Sequence, residues 1–413
     1  MSILPLVISL LAMCAVAYWY GSKKALSSHS FAGQQNTGRP HLYGLYVVIW
    51  GAISPAILLI LWGVFSFSSI GVDGVIAGKI DQVVFPSLII VAAILGLTLA
   101  VRQINPNLRA RKTVEAAVYC VLILASTLSV FTTIGIVLSL LIETIQFFEK
   151  VPYQEFFFSL NWSPQMALRE DQIGSSGAFG AIPLFTGTLL ITLIAMIVAV
   201  PLGLMSGIYM TEYASKNFRA TVKPILEILA GIPTVVYGFF AALTVGVFFR
   251  DVGTAIGLDV VSESALAAGV VMGMMIIPFI SSLSDDIIMA VPQSLRDASY
   301  GLGATKSETV INVIIPAALP GIVGAVLLAV SRAIGETMIV VMAAGFAANL
   351  TANPLESVTT VTVQIVGLLV GDQEFDSAKT LAAFALALTL FAITLCLNVI
   401  ALLVVRKYRE KYD

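Results

Sequence analysis

The chain has 413 residues, 58% of them apolar and only 11% charged, with 22 basic against 24 acidic side chains and a net charge of −2. Ordinary soluble proteins carry about 25% charged residues, so a soluble enzyme of this length is all but excluded. The mean hydropathy of +0.98 points instead to an all-α, polytopic membrane protein. The three cysteines, Cys14, Cys120 and Cys396, lie scattered in apolar runs, and histidine occurs only as His29 and His41. No disulfide framework, metal site or histidine-based triad is expected from that inventory.

Nine stretches are long and apolar enough to cross a bilayer, which takes roughly 20 residues. The first, about Ile3–Tyr20, contains Ala15-Val16-Ala17, which looks like a signal-peptidase site. No basic residue precedes this apolar run, however, and Lys23 and Lys24 follow it, the reverse of signal-peptide polarity. It is read as an uncleaved span with its N-terminus outside. A polar linker, Gly21–Leu42, leads to spans at Tyr43–Phe65 and Val83–Val101. The fourth, Thr113–Ile142, and the fifth, Ile182–Met210, are longer than a bilayer needs and are expected to tilt or project. Between them the outer segment Glu143–Ala181 carries seven aromatics from Phe147 to Trp162, as membrane interfaces do. Spans at Ile225–Phe249, Ser264–Leu283, Pro320–Ala344 and Leu381–Val405 follow. Thr359–Val370 is apolar but only 12 residues long, which suits a re-entrant or interfacial helix.

Lysine and arginine orient these spans. With the C-terminus in the cytoplasm, sixteen basic residues fall in cytoplasmic segments: Lys23, Lys24, Arg39, Arg102, Arg109, Arg111, Lys112, Lys216, Arg219, Lys223, Arg296, Lys306, Arg406, Lys407, Arg409 and Lys411. Five (Lys79, Lys150, Arg169, Arg250 and Lys379) fall outside, and Arg332 lies within a span. Adding or removing one span would scramble this asymmetry.

Several polar residues within or beside the spans are candidates for function. Glu227 follows Lys223 by four positions, so a local interfacial pair is the simpler reading and a pathway role the other. Pro233 and Tyr237, in Ile232–Gly238, are expected to kink the sixth span, either shaping a path or only bending a packed helix. Asp285 and Asp286 are read as solvated charges ending the seventh span, and Glu115, behind Arg111 and Lys112, as interfacial. Arg332 and Glu336 lie near the middle of the eighth span, where an arginine costs roughly 2.5–3.5 kcal/mol on insertion scales. Their i, i+4 spacing puts both on one helical face. A self-neutralising ion pair and an anion-attracting site gated by Glu336 fit equally well. The planar guanidinium fork suits phosphate.

Between the seventh and eighth spans the chain reads Asp297-Ala298-Ser299-Tyr300-Gly301-Leu302-Gly303, followed after a further stretch by Val313-Ile314-Ile315-Pro316. It resembles the coupling loop of ABC importer permeases: acidic-Ala-Ala, then Gly four positions on, then aliphatic-x-aliphatic-Pro. Asp stands for the commoner Glu, and Ser299 for the second Ala. A short helix across the membrane face would seat in a groove of an ATPase, Gly303 would allow the turn out of it, and Pro316 would start the return to the bilayer. Gly301–Ser307 mimics a phosphate-binding loop, but Thr305 stands where a glycine must precede Lys306, so no nucleotide site is read there.

Further pieces extend the likeness: Asn161–Pro164, Phe179–Pro183 with Gly187-Thr188, Thr211–Ala214, Glu227–Gly238 and Arg332–Met338. Together they make the chain from about Thr113 resemble the PstC-type permease subunits of the phosphate-specific ABC importer. That resemblance implies a six-span type I permease domain over residues 113–413, behind a three-span accessory region over 1–112 that typical members lack. It also implies a non-enzymatic transport subunit in the bacterial inner membrane. The chain would bind no cofactor itself. Expected partners are a PstA-type second permease, two PstB-type subunits holding ATP and Mg, an outer PstS-type phosphate-binding protein and membrane lipid, with no nucleic acid. Arg332 and Glu336 match the residues implicated in phosphate passage. The alternatives are a permease for sulfate, molybdate or another oxyanion, and a non-transporting scaffold or phosphate sensor. An ion-driven secondary transporter is disfavoured, because no row of intramembrane carboxylates is present to bind coupling ions.

Overall fold

The computed structural model describes residues 3–30, 40–51, 53, 55, 85–104, 108, 110–164, 177–370 and 376–408. They fall into two compact units, Met1–Ile134 and Gly135–Asp413. The expected boundary after residue 112 lies near the start of a long helix, and the two units divide further along it.

In the first unit, α1 (Ile3–Ser30) runs well past the expected end of the first span, so the first ten residues of the supposed polar linker are helical. A second helix, α2, covers residues 40–51; most of the rest of the expected second span lies outside the described residues. α3 (Phe85–Arg102) matches the third. A small core of Ala17, Ala25, Tyr43, Tyr46, Val47 and Ala100 joins these helices, and Tyr46 donates to Gln103 Oε1 at 2.7 Å. Gly44 permits a close crossing, because a Cβ there would stand 2.4 Å from Ser22 Oγ.

Six helices among the described residues are long and apolar enough to cross a membrane. They are α4 (Ala110–Lys150), α6 (Ile182–Tyr213), α8 (Thr234–Ala255), α9 (Ala265–Met289), α11 (Lys306–Ile334) and α14 (Ala378–Lys407). Shorter elements lie between them: α5 (Tyr153–Phe158), α7 (Lys216–Ala230), α10 (Gln293–Gly301), α12 (Met338–Ala343) and α13 (Val361–Leu369). The only sheet among the described residues pairs β1 (Trp162–Ser163) antiparallel with β2 (Ala178–Phe179).

In the second unit α9 is the central helix, with 61% of its most apolar window buried, against 6% for α14. Lipid tails are as apolar as leucine, so packed helices in a membrane gain by close approach at small residues. α6 and α9 do this along their length. A Cβ on Gly203 would stand 2.9 Å from Ile280 side-chain atoms, one on Gly207 would stand 3.0 Å from the Ser281 carbonyl, and one on Gly273 would stand 2.9 Å from Val198. Ala195, Ala199, Ala267 and Ala268 fill the same seam.

A second core lies at one end of this unit. Phe147, Phe156 and Phe179 form T-shaped pairs at 5.4 and 5.7 Å and are fully or almost fully buried. These aromatics are therefore core anchors, whereas Tyr153 and Phe158 remain exposed in the way interfacial residues do. α13 is the short helix expected from Thr359–Val370. Thr360 caps it by accepting from the Val363 N–H, and Trp162 donates to its buried Gln364 at 2.9 Å.

Candidate functional site

Two of the expected spans are broken, and the breaks set the geometry of the candidate residues. α11 ends at Ile334 with Gly335 as its C-cap. Glu336 then turns the chain and accepts from the Met338 and Ile339 N–H groups at 3.1 and 3.4 Å, satisfying the open N-terminus of α12. Its own carbonyl accepts from Thr362 at 2.9 Å, tying the break to α13. The i, i+4 ion pair of Arg332 with Glu336, one of the two readings of these residues, therefore does not form, because it needs a helix that continues through Gly335.

Arg332 is exposed, and among the described residues no carboxylate lies within ion-pair distance of it. Its guanidinium sits 5.6 Å from the centroid of Phe279. Phe279 is near the middle of α9, so Arg332 is level with mid-span although it ends its own helix. The ring contact contributes about 0.5–2 kcal/mol, and the negative helix end about 0.3–1 kcal/mol. Together these at most balance the insertion cost of a charge at this depth. They leave the guanidinium N–H donors open to water or an anion.

The sixth span breaks at Gly231-Ile232-Pro233, with Pro233 at the N-cap of α8 rather than kinking a helix from within. Tyr237 donates to the Leu229 carbonyl across the break at 3.0 Å. Glu227 lies on the separate, amphipathic α7, exposed, and does not pair with Lys223. Lys223 instead reaches Asp285 at 2.9 Å and Asp286 at 3.0 Å.

Asp285 is not a solvated cap but fully buried. It accepts from Thr211 at 2.7 Å and from Arg219 at 2.8 Å as well as from Lys223. The Asp285 hydrogen bond, with the nearby Asp286, holds the Lys223 ammonium above the usual lysine range. Its share of the ion pairing is therefore complete at neutral pH and is lost only as pH climbs through that raised value. The sequence missed this cluster. Its available signal was two basic residues at i, i+4 on one polar segment and two adjacent acids bordering another.

The loop expected to couple to an ATPase begins with a real helix, α10. Arg296 is its buried anchor. It donates to Glu212 at 3.0 and 3.2 Å and to the Ile288 carbonyl at 2.8 Å, so a cation lies against the last turn of α9. Ser299, also buried, bonds Thr309 at 2.9 Å. Asp297, Ala298 and Tyr300 point away, and Leu302 is 91% exposed. Gly303 turns the chain at φ +88°, a conformation natural to glycine. The return helix starts earlier than expected, at Lys306, behind a capping box of Thr305 and Glu308. Pro316 lies inside α11 and is exposed, two residues after the π-turn Val310–Ile314. Its missing N–H disrupts regular helical bonding there. Val313 and Ile315 are half-buried beside it.

Six helices long and apolar enough to cross a membrane, packed at small residues, define an integral membrane bundle. Residues 199–410 match the family described as binding-protein-dependent transport system inner membrane component, and the chain belongs to that family. Residues 7–84, where the resemblance had little to say, match a second family, described as phosphate ATP-binding cassette transporter.

Curated relatives agree. The probable ABC transporter permease protein YqgH of Bacillus subtilis (strain 168) is 34% identical over 243 residues, 58% of this chain and 74% of that protein. The phosphate transport system permease protein PstC of Xylella fastidiosa (strain 9a5c) is 30% identical over 272 residues, 61% of this chain and 80% of that one. PstC 1 of Mycobacterium bovis (strain ATCC BAA-935 / AF2122/97) is 34% identical over 277 residues, 61% and 81%. An inward-facing MetNI methionine ABC transporter structure aligns with 56% of this chain at 19% identity and a TM-score of 0.40, which adds nothing to the assignment.

Proposed function

We propose that this chain is the permease half of an ATP-driven importer of inorganic phosphate. The observation that carries the reading is Arg332, a guanidinium without a carboxylate partner among the described residues, held at mid-span beside a helix break. The relatives named as phosphate transport permeases supply the anion. A phosphate would meet the Arg332 fork in passing. Binding there must be weak enough to release, which suits one exposed cation better than a buried cage. Glu336 shapes the break by capping α12 and keeps a negative charge near the path.

ATP and Mg would be held by two PstB-type partner subunits, seated on the bare face of α10 from Asp297 to Gly303. A PstA-type second permease would complete the path, and a PstS-type protein would deliver phosphate from outside. The chain then sits in the bacterial inner membrane with its C-terminus in the cytoplasm and its N-terminus outside.

The test is radiolabelled phosphate uptake in cells lacking their own PstC-type subunit, with excess sulfate as competitor. ATP-dependent uptake that sulfate leaves untouched is expected. Uptake that sulfate or molybdate suppresses would move the assignment to a broader oxyanion carrier. No uptake of any oxyanion by the assembled complex would favour a scaffold or sensor.

A further inference from the structure

The way α7 is held sets it apart from its neighbours. None of its residues is buried; Ile225 and Ile228 are exposed, and Phe218 meets Tyr209 of α6 edge-on at 5.9 Å. Its polar side turns inward, where Arg219 and Lys223 both reach one oxygen of Asp285. α6 and α9, by contrast, are joined by close packing at Gly203 and Gly207. The α6–α9 pair is thus held by shape, and α7 chiefly by charge.

The same turn that serves α7 also serves α10. Thr211 and Glu212 are adjacent on the last turn of α6. Thr211 donates to the other oxygen of Asp285, while Glu212 receives Arg296 from α10. Three residues past Asp285, the Ile288 carbonyl receives Arg296 too. A push on α10 therefore reaches the α6–α9 pair through Arg296, and passes to α7 through Asp285. Beyond α7 the chain turns at Pro233 into α8. There Gly238 lies so close to α12 that a Cβ would stand 3.0 Å from the Met338 carbonyl. α12 is the helix that Glu336 caps.

We propose that Asp285 is a positioning residue for transport: it grips α7 so that movement of α10 is carried to the break beside Arg332. The carboxylate touches no substrate. Its work is to keep a helix with no buried residue of its own in step with a tightly packed pair. This inference rests on the ATP-driven reading above and adds to it the part that transmits the stroke.

The experiment is a coupling ratio, anion transported per ATP hydrolysed, measured on the complete importer in proteoliposomes. It is taken with whichever anion the wild-type complex carries, so a failure of the phosphate assignment leaves the ratio measurable. Asp285→Asn should assemble and hydrolyse ATP near the wild-type rate while the ratio falls at least tenfold. Asp285→Glu should restore most of it. If Asp285→Asn leaves cations that impair folding, the triple variant Asp285→Asn, Arg219→Gln, Lys223→Gln removes Asp285 and both cations that reach it, leaving only the exposed Asp286, and should show the same fall. A wild-type ratio in either assembled variant would overturn the proposal, and so would ATP hydrolysis and transport that fall in parallel.

Discussion

Arg332 sits at a helix end, level with the middle of the bundle and without a carboxylate partner, so its charge is available rather than spent. Replacing it with Gln should abolish uptake while leaving the protein in the membrane at normal abundance; uptake at the wild-type rate would remove it from the path. Arg332→Lys keeps the charge but loses the two-pronged geometry. A loss of about tenfold is expected if one of two hydrogen bonds worth about 1.4 kcal/mol disappears, measured as initial uptake rate at limiting anion. Glu336 offers a cleaner separation, because its carboxylate caps α12 and does not bind Arg332. Glu336→Ala should cost about 1 kcal/mol of stability, as lost caps do, read as earlier thermal unfolding of the purified protein. Glu336→Gln retains an acceptor oxygen and should unfold like the wild type, so any transport defect it shows reports on charge alone.

Helices in this chain are told apart by what they leave bare. α10 turns Arg296 and Ser299 inward and leaves Leu302 almost wholly exposed at its end, on the face that the proposed coupling role gives to the ATPase. Leu302→Glu should leave expression and thermal unfolding unchanged and reduce co-purification of the ATPase subunits severalfold; undiminished co-purification would place the contact elsewhere. Gly207→Val tests the opposite kind of surface. Its added Cβ would press on the Ser281 carbonyl at 3.0 Å, and overpacking of this sort costs about 1–3 kcal/mol, again visible in thermal unfolding. The six spans of the family region could be read from apolar run length alone, α10 from the likeness of Asp297–Pro316 to a coupling loop, and α13 from a run too short to span. The breaks at Gly231–Pro233 and Gly335–Thr337 could not. An apolar run looks the same whether its helix is straight or interrupted, and a glycine or proline within one signals a kink as readily as a stop. Asp285 was misread for a related reason: a carboxylate at the end of a span is solvated unless another segment folds over it, and α7 does so from 60 residues away.

At the scale of the whole second unit, contacts sort the expected loops by side. The segments around 211–223 and 285–306 meet at one end, through Asp285, through Arg296 with Glu212, and through Lys306 over the ring of Tyr213 at 5.1 Å. At the other end Ala265 bonds the Glu356 carbonyl, Trp162 bonds Gln364, and Lys150 reaches the Asp376 carbonyl. Two of the five segments that the basic residues put on one side, 216–223 and 296–306, thus lie at the same end. Which end faces the cytoplasm follows from the enrichment in lysine and arginine and is open to direct measurement. With Cys14, Cys120 and Cys396 replaced by Ser, single cysteines at Asp259 and Ser307 mark opposite ends, and both positions are exposed. A membrane-impermeant maleimide should label Asp259→Cys in intact cells and Ser307→Cys only after permeabilisation. The reverse pattern would put α10 on the outer face, where no ATP-hydrolysing partner could press on it, and the coupling role of Asp297–Gly303 and of Asp285 would fall with the orientation.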